Sequence, residues 1–247
     1  MSCVAFVIGG FYLAEVMRIN KYLSKCGYCS RREADRLLEE GQILVNGKFP
    51  ELGQKVSFED EVTVKGQIVS PVEREIVIAY HKPAGVVSTL RKKEENTLVN
   101  QLNIGERVYP VGRLDKESTG LMILTNNGDL MNQILRGKNM HEKEYVVRVN
   151  KPVKKEVYQA MEQGVPILDT ITMPCKITNR GEREFHIILT QGLNRQIRRM
   201  CDYFDLRVLS LKRIRIMNIH LGDLKEGSWR YLTQEELGEL KNKCGLK

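Results

Sequence analysis

Residues 108–129 read VYPVGRLDKESTGLMILTNNGD, and this stretch places an acidic loop between two apolar segments. The segments 108–111 and 121–124 are short apolar runs, which are typical of buried strands. Asp115 lies between them on a loop bounded by glycines. Loops held by a rigid scaffold often carry catalytic side chains, whereas Asp beside Ser, Thr and Gly also favours turns. From spacing alone, the turn-forming role of Asp115 is the commoner of the two.

The segments around this loop predict strands interrupted by helices, without strict alternation. A strand over 76–80 leads into a turn at 81–85, and residues 91–96 are predicted to form a charged surface loop. Further strands are predicted at 145–149, 173–177, 185–189 and 208–219, and helices are predicted ending near 135, over 153–163 and 195–204, and after Thr233. This order favours an α+β domain over 75–247, with a mixed, mainly antiparallel sheet flanked by helices.

The region 17–66 predicts a separate, smaller unit. Apolar residues recur at helical spacing after Arg18, and Ser30 followed by Glu33 forms a capping-box pattern that starts a second helix, ending near residue 40. Short apolar strands at 43–45 and 62–64 follow, the first ending in an Asn-Gly turn. Residues 67–74 are predicted to form a linker to the larger domain.

The helical part of the smaller unit is rich in basic residues. They are Arg18, Lys21, Lys25, Arg31, Arg32 and Arg36. The two acids of that stretch, Glu33 and Asp35, are outnumbered, so one face could meet phosphates. A solvated helix surface explains the same pattern, and charge alone does not separate the two interpretations.

Composition narrows the class of protein. A chain of 247 residues with 42% hydrophobic and 28% charged content predicts a globular fold of one or two domains. The formal net charge of +8 favours a polyanionic partner, with nucleic acid ahead of an acidic membrane surface. Six scattered cysteines suit a reducing cytoplasm, and the single C-x-x-C, Cys26 and Cys29, is interpreted as two buried thiols in preference to a metal site.

The first sixteen residues are predicted to lie outside the fold. The apolar run 4–14 lacks a basic segment before it and is too short to span a bilayer, so no membrane partner is expected. Residues 1–16 are therefore interpreted as an extension, with Met17 as a candidate native start.

The sequence lacks the motifs of several kinds of cofactor and metal chemistry. The chain contains no dinucleotide glycine fingerprint, no G-x-x-x-x-G-K-[ST] phosphate loop and no histidine cluster for a metal. We therefore expect no cofactor and no metal. A metal-dependent nuclease would need clustered acidic ligands, and its activity would respond to a chelator.

Two family resemblances cover nearly all of residues 17–235. Segments 18–23, 30–34 and 41–47 resemble the S4 RNA-binding domain in sequence and order, which implies docking to structured RNA through the second helix. Segments 82–85, 112–129, 143–145 and 192–200 together resemble the RsuA/RluB/RluE/RluF family of pseudouridine synthases. Within that family, segments 141–147, 164–168 and 191–194 look most like the RluF type. The family resemblance implies isomerisation of a uridine within RNA, in which the base is detached from C1′, rotated and rejoined through C5.

The resemblance implies three catalytic residues. Asp115 matches the catalytic aspartate, which must be ionised to act. Burial disfavours a charged carboxylate, and Arg198 matches the arginine that the wider superfamily places beside it as a salt-bridge partner. Tyr145 matches the active-site tyrosine, whose ring stacks on the displaced base and whose hydroxyl receives the C5 proton. Half-buried strand packing is the alternative for Tyr145.

Four further basic residues are candidates for RNA contact. Arg113 is the candidate to fill the stack that a flipped nucleotide vacates. Arg195 and Arg199 are expected to be free for phosphates, although a basic helical face explains them as well. Lys82 is expected to contact the RNA backbone or to support the catalytic loop, and a solvated turn lysine is nearly as good an interpretation.

The expected partner is ribosomal RNA, and RluF-type enzymes modify 23S RNA, with some also accepting a tRNA anticodon loop. A stem-loop or bulge is the expected target because specific RNA recognition usually uses such sites. A cytoplasmic monomer is expected. The competing hypothesis is a non-catalytic RNA-binding or ribosome-assembly factor.

Overall fold

The computed structural model describes residues 15–70, 74–89, 96–102, 104–105 and 107–246, without the side chains of Val99 and Lys138. The chain divides into two compact units between Arg74 and Glu75. Most of the predicted extension over 1–16 and of the predicted charged loop over 91–96 lies outside the described residues. Within the described part, no helix combines the length and apolar character that a membrane crossing requires.

The first unit contains two helices and short strands. Its elements are β1 (Met17–Arg18), α1 (Ile19–Lys25), α2 (Arg31–Glu39), β2 (Ile43–Val45), β3 (Lys55–Val56), β4 (Val62–Val64) and β5 (Gln67–Ile68). Helix α1 buries Tyr22 and Leu23 against the inner face of α2. Helix α2 begins as predicted, because the Ser30 hydroxyl accepts a hydrogen bond of 3.2 Å from the Glu33 N–H.

The small sheet of this unit has the order β2-β4-β5, and its pairs are antiparallel. Asn46 and Gly47 both have positive φ, which suits the predicted tight turn after β2. The linker predicted over 67–74 starts too early. Residues 67–68 form β5, and Val69 is buried in the core, where its carbonyl accepts a hydrogen bond from the Tyr22 hydroxyl.

The second unit is larger and is built on one main sheet, with a separate two-stranded hairpin. Its strands are β6 (Val77–Lys82), β7 (Tyr109–Pro110), β8 (Thr119–Thr125), β9 (Lys143–Val149), β10 (Pro166–Ile167), β11 (Thr170–Ile171), β12 (Lys176–Thr178), β13 (Glu184–Leu189), β14 (Val208–Ile216), β15 (Ile219–His220) and β16 (Trp229–Tyr231). Its α-helices are α3 (Leu98–Gln101), α4 (Gly128–Leu135), α5 (Lys155–Gln163), α6 (Gln196–Tyr203) and α7 (Gln234–Lys243). A 3₁₀ turn, Gly137–Asn139, follows α4.

The main sheet runs in the order β12-β13-β9-β14-β8-β6-β16, with β7 paired to β8 and β15 to β14. The β14–β8 pair is parallel, and the remaining pairs of this sheet are antiparallel among the residues described. This topology confirms the predicted α+β class with a mixed, mainly antiparallel sheet. The β10–β11 hairpin and strand β16 were not predicted.

Helices pack on the sheet. Within the sheet, the start of β8 lies beside β14. Helices α5 and α6 pack on a core formed with β9 and β13, and α4 and α7 contribute to a second core. Gly120, near the start of β8, has φ +110, and a Cβ added there would lie 2.2 Å from the main-chain oxygen of Arg213. Glycine at this position therefore permits β8 and β14 to approach, and the acidic loop immediately precedes that contact.

Candidate active site

The loop between β7 and β8 is held on both sides of Asp115. On one side, the buried Ser88 hydroxyl donates to the Leu114 carbonyl at 2.8 Å and accepts the Leu114 N–H at 3.2 Å. On the other side, the Ser118 N–H donates to the Asp115 carbonyl at 3.1 Å. The loop is thus fixed by short hydrogen bonds, which position the Asp115 side chain.

Asp115 lies beside a buried arginine. Its Oδ2 is 3.9 Å from Arg198 Nε and 3.8 Å from Arg195 Nη1, distances that make ion pairs without direct hydrogen bonds. Arg198 is buried at 9% exposure, and its Nη2 donates to the Ser118 hydroxyl at 3.2 Å. The Asp115 side chain remains 31% exposed. The Asp115 carboxylate therefore faces solvent on one side and the Arg198 and Arg195 guanidinium groups on the other.

Tyr145 belongs to the same cavity as Asp115. The cavity has a volume of about 500 Å³, and Arg113, Asp115, Ser118 and Tyr145 contribute to its lining. Tyr145 lies on β9, is half-buried, and pairs in register with Arg213 on β14. The structure therefore brings four sequence-predicted residues, Arg113 and Arg195 included, to one concave surface.

A second cavity of about 750 Å³ also borders the acidic loop. Its lining includes Arg113, Asp115 and Arg195, together with residues 87–89 and 192–194. Arg113 is exposed and Asp115 is half-exposed. Both residues line both cavities, and each cavity is large enough for a nucleotide-sized group.

Lys82 does not contact solvent, which corrects two of its three predicted roles. Its side chain is fully buried, so neither an RNA-backbone contact nor a solvated turn is compatible with its position. Its Nζ donates to the Pro83 carbonyl at 2.7 Å and to the Lys116 carbonyl at 3.3 Å. The remaining prediction, support of the catalytic loop, agrees with the bond to Lys116.

Burial lowers the pKa of Lys82 from 10.5 to about 8, partly offset by the charges of Glu117 and Asp115. Between these two values the unfolded chain holds a proton that the folded chain has released, so this group's contribution to the free energy of unfolding rises with pH.

We expect the wild type to gain stability relative to Lys82→Met between pH 8 and 10.5. Urea unfolding of both proteins across that range measures the difference, with Lys116→Met, an exposed lysine, as the control. Parallel curves for wild type and Lys82→Met would contradict this assignment.

Arg195 and Arg199 are paired within the protein and are not free as expected, while their contact with phosphates stays a prediction. Arg195 Nη1 lies 2.5 Å from Glu117 Oε1, and Arg199 donates to the main-chain and side-chain oxygens of Asn194 at 3.1 and 3.3 Å. A main-chain hydrogen bond and then the Arg195 guanidinium lower the pKa of Glu117. These contacts hold the loop that precedes α6.

Lys143 and Arg213 also line the cavity that contains Asp115, and sequence reasoning did not select either. Lys143 falls within the 143–145 motif and shares a strand face with Tyr145, a signal that alternation along β9 offered. Arg213 lies in a strand predicted only as extended, and its position opposite Tyr145 depends on the register of β9 and β14.

In the first unit, Arg18, Arg31 and Arg32 are exposed. Lys21 is half-buried, and its Nζ lies 3.8 Å from Glu15. Arg36, by contrast, pairs with Glu33 and Glu40 on its own helix. Two further side chains of this unit, the thiols of Cys26 and Cys29, are buried, in agreement with the interpretation from sequence.

Known proteins share both units. Residues 76–203 match the RNA pseudouridylate synthase family and residues 17–62 match the S4 domain. The chain is 50% identical over 226 residues to the dual-specificity RNA pseudouridine synthase RluF of Escherichia coli K12, which covers 91% of this chain and 78% of that protein. It is 34% identical over 235 residues to ribosomal large subunit pseudouridine synthase B of Bacillus subtilis, which covers 91% and 95% of the two chains.

A solved structure agrees with these relatives. A crystal structure of pseudouridylate synthase superposes with a TM-score of 0.67 at 26% sequence identity, covering 91% of this chain and 99% of that one. The match extends over both units, so fold and sequence lead to the same assignment. The chain therefore belongs to the RNA pseudouridine synthases, as an enzyme of the RluF type with an S4 domain preceding its synthase domain.

Proposed function

We propose that this enzyme isomerises a specific uridine of large-subunit ribosomal RNA, with Asp115 as the catalytic residue. One observation carries the role of Asp115: its carboxylate lies beside the buried guanidinium of Arg198, at the wall of a cavity that also contains Tyr145. The target is supported by the Bacillus subtilis relative, which is named for the large ribosomal subunit. Because RluF is named a dual-specificity enzyme, the proposal includes a second RNA. The family resemblance of the sequence makes tRNA the expected class of that RNA.

Asp115 and Arg198 act as a pair in this proposal. The reaction needs a charged carboxylate at the sugar or the base of the target nucleotide, within a site from which the RNA excludes water. Within that site the Arg198 guanidinium, with its Nε 3.9 Å from Asp115 Oδ2, supplies the counter-charge of the carboxylate. Ser118 bonds the Arg198 guanidinium and the Asp115 main chain, so it keeps the two residues in register.

Tyr145 supplies the second catalytic function. Its half-buried ring offers a flat surface for the detached uracil, which is the usual way that extruded bases are held. Its hydroxyl receives the proton that C5 loses after the new C1′–C5 bond has formed. General acid–base groups of this kind contribute about 10²–10⁴-fold to a rate.

Arg113 is proposed to fill the vacated position in the RNA stack. Flipping the target nucleotide costs about a few kcal/mol, and a planar guanidinium stacks on the exposed neighbouring bases. Arg113 is exposed, lies two residues before Asp115, and lines both cavities. It is therefore placed to enter the RNA as the uridine leaves.

The first unit is proposed to dock RNA through residues 17–66, with Arg18, Lys21, Arg31 and Arg32 as phosphate contacts. Exposed arginines on the S4-type helix α2 offer charge to the RNA backbone. Residues 75–247 then form the catalytic domain, and the division between Arg74 and Glu75 supports this assignment. We further propose a monomer that acts in the cytoplasm.

The RNA contact of α2 has a matched control on the same helix. We expect Arg31→Ala/Arg32→Ala to weaken RNA binding and to reduce the slope of log Kd against log salt concentration by about two. Arg36→Ala should leave that slope unchanged, because the Arg36 guanidinium is already paired with Glu33 and Glu40. Filter binding over a salt series measures both slopes. Equal slopes for the double variant and the wild type would remove α2 from the RNA interface.

The target is tested by comparing pseudouridine maps of ribosomal RNA and tRNA from the native organism and from a strain that lacks this gene. Loss of one large-subunit site in the deletion strain, with recovery on complementation, is the expected result. Loss confined to small-subunit RNA, or no loss in any RNA, would contradict the proposed target.

A further inference from the structure

Arg213 carries a buried charged donor that the proposed roles of Asp115, Arg198 and Tyr145 do not use. The residue is 3% exposed, and its Nε donates to the Leu121 carbonyl at 2.7 Å. Its Nη2 is buried and makes no hydrogen bond to any described residue. Leaving such a group unsatisfied is costly, so it is retained where a ligand supplies the acceptor.

Lys143 adds a second cation to the same cavity. It lies on β9 two residues before Tyr145, so both side chains occupy one face of the strand. Its Nζ donates to the His141 carbonyl at 3.1 Å, and burial, together with the charge of Arg213, lowers the pKa of Lys143. Within the described parts of the chain, no salt bridge joins Lys143 or Arg213 to a carboxylate. Two neighbouring cations without a counter-charge form a site for an anion.

The burial of this site indicates which negatively charged group it binds. An RNA phosphate keeps much of its hydration and meets exposed arginines such as Arg113, whereas Arg213 is almost fully buried. The Arg213 guanidinium carbon lies 6.0 Å from the centre of the Tyr145 ring. A uracil that stacks on Tyr145 is therefore within reach of the Arg213 guanidinium, whereas the hydration of a backbone phosphate favours the cavity mouth.

We propose that Lys143 and Arg213 bind the carbonyl oxygens of the target uracil and stabilise the negative charge on the ring while it is detached from the sugar. The inference rests on the proposed function, because it takes Tyr145 as the surface on which the uracil stacks. It adds two catalytic residues whose task differs from those of Asp115 and Tyr145.

The reaction places negative charge on the detached uracil, and a cationic site stabilises that charge. When the C1′–N1 bond breaks, its electron pair stays on N1 and the charge spreads to O2 and O4. After rotation, a ring electron pair forms the C5–C1′ bond, the Tyr145 hydroxyl takes the C5 proton as it releases its own proton to water, and N1 gains a proton from water. The product has the atoms and oxidation level of the substrate, so no co-reactant is needed. Fixed cations lower the energy of the charged ring in the transition state.

The first test removes the Lys143 charge. In vitro transcripts of ribosomal RNA and tRNA contain no pseudouridine, and the wild type identifies the transcript that it uses. On that RNA we expect Lys143→Met to lower the single-turnover rate about 100-fold with unchanged Kd and salt dependence. Lys143→Arg should recover most of the rate because it keeps the charge. Lys212→Met is the matched control, since this half-buried lysine lies on the opposite face of β14 beside Arg213.

The second test changes the leaving group. In transcripts made with 5-fluorouridine, fluorine withdraws electrons from the ring, so the detached base depends less on protein cations. Lys143→Met should therefore lower the rate of glycosidic-bond cleavage by a smaller factor on 5-fluorouridine than on uridine. Lys143→Gln, which also lacks the charge, gives the same comparison if methionine disturbs the fold, as judged by the thermal midpoint.

Three results would overturn the inference. They are a wild-type rate in the uncharged variants, equal losses on the two substrates in a variant with a wild-type thermal midpoint, and a lower salt slope, which indicates a phosphate contact. A different modified transcript, or an active Asp115→Asn, would contradict the proposed function instead. The comparison between uridine and 5-fluorouridine still decides the role of Lys143 on the transcript that the wild type uses.

Discussion

Asp115→Asn is expected to lower the rate of pseudouridine formation by at least about 10⁴-fold, while RNA affinity stays close to the wild-type value. The amide has the shape of the carboxylate but carries no charge, so it neither attacks nor stabilises the substrate. The main-chain bonds that fix the loop, from Ser88 to Leu114 and from Ser118 to Asp115, remain possible in the variant. Single-turnover kinetics and filter binding on the same RNA measure the two quantities.

The control for this variant is Asp223→Asn, which removes an exposed carboxylate of the same unit. Its rate and affinity should equal those of the wild type, because Asp223 does not line either cavity that Asp115 lines. Comparable turnover by Asp115→Asn and the wild type would show that another group performs the chemistry.

Tyr145→Phe is expected to lower the rate about 10²–10⁴-fold, because the ring can still stack on uracil but the hydroxyl that takes the C5 proton is gone. Release of tritium from RNA containing [5-³H]uridine reports this proton transfer directly. RNA affinity should be unchanged. Tyr203→Phe, at an exposed tyrosine on α6, provides the control. Tritium release at the wild-type rate from Tyr145→Phe would assign the proton transfer to another group.

Local patterns predicted those elements whose signals lie within a few residues. Ser30 and Glu33 marked the start of α2, and Thr233 with Glu236 forms the full capping box of α7. The β10–β11 hairpin escaped prediction because Leu168 and Asp169, in place of glycine or asparagine, occupy left-handed conformations at its turn. The surrounding fold compensates for that local preference.

The candidate site shows the same division between local and tertiary information. The motifs predicted Asp115 and Arg198 as site residues although they are far apart in sequence. In the structure, Asp115 Oδ2 lies 3.9 Å from Arg198 Nε. Burial of Lys82 and the pairing of Arg195 with Glu117 depend on how β6, the acidic loop and α6 pack. A basic residue in a motif has the same sequence signal whether it faces phosphate or the protein, so these two contacts could not be predicted.

The most direct measurement of the central claim maps pseudouridine in an in vitro transcript of large-subunit ribosomal RNA after incubation with the purified wild type or with Asp115→Asn. Our account predicts modification at a discrete uridine by the wild type, without added cofactor, and none by a variant that still binds the RNA. A transcript left unmodified by the wild type, or modified equally by both proteins, would contradict it.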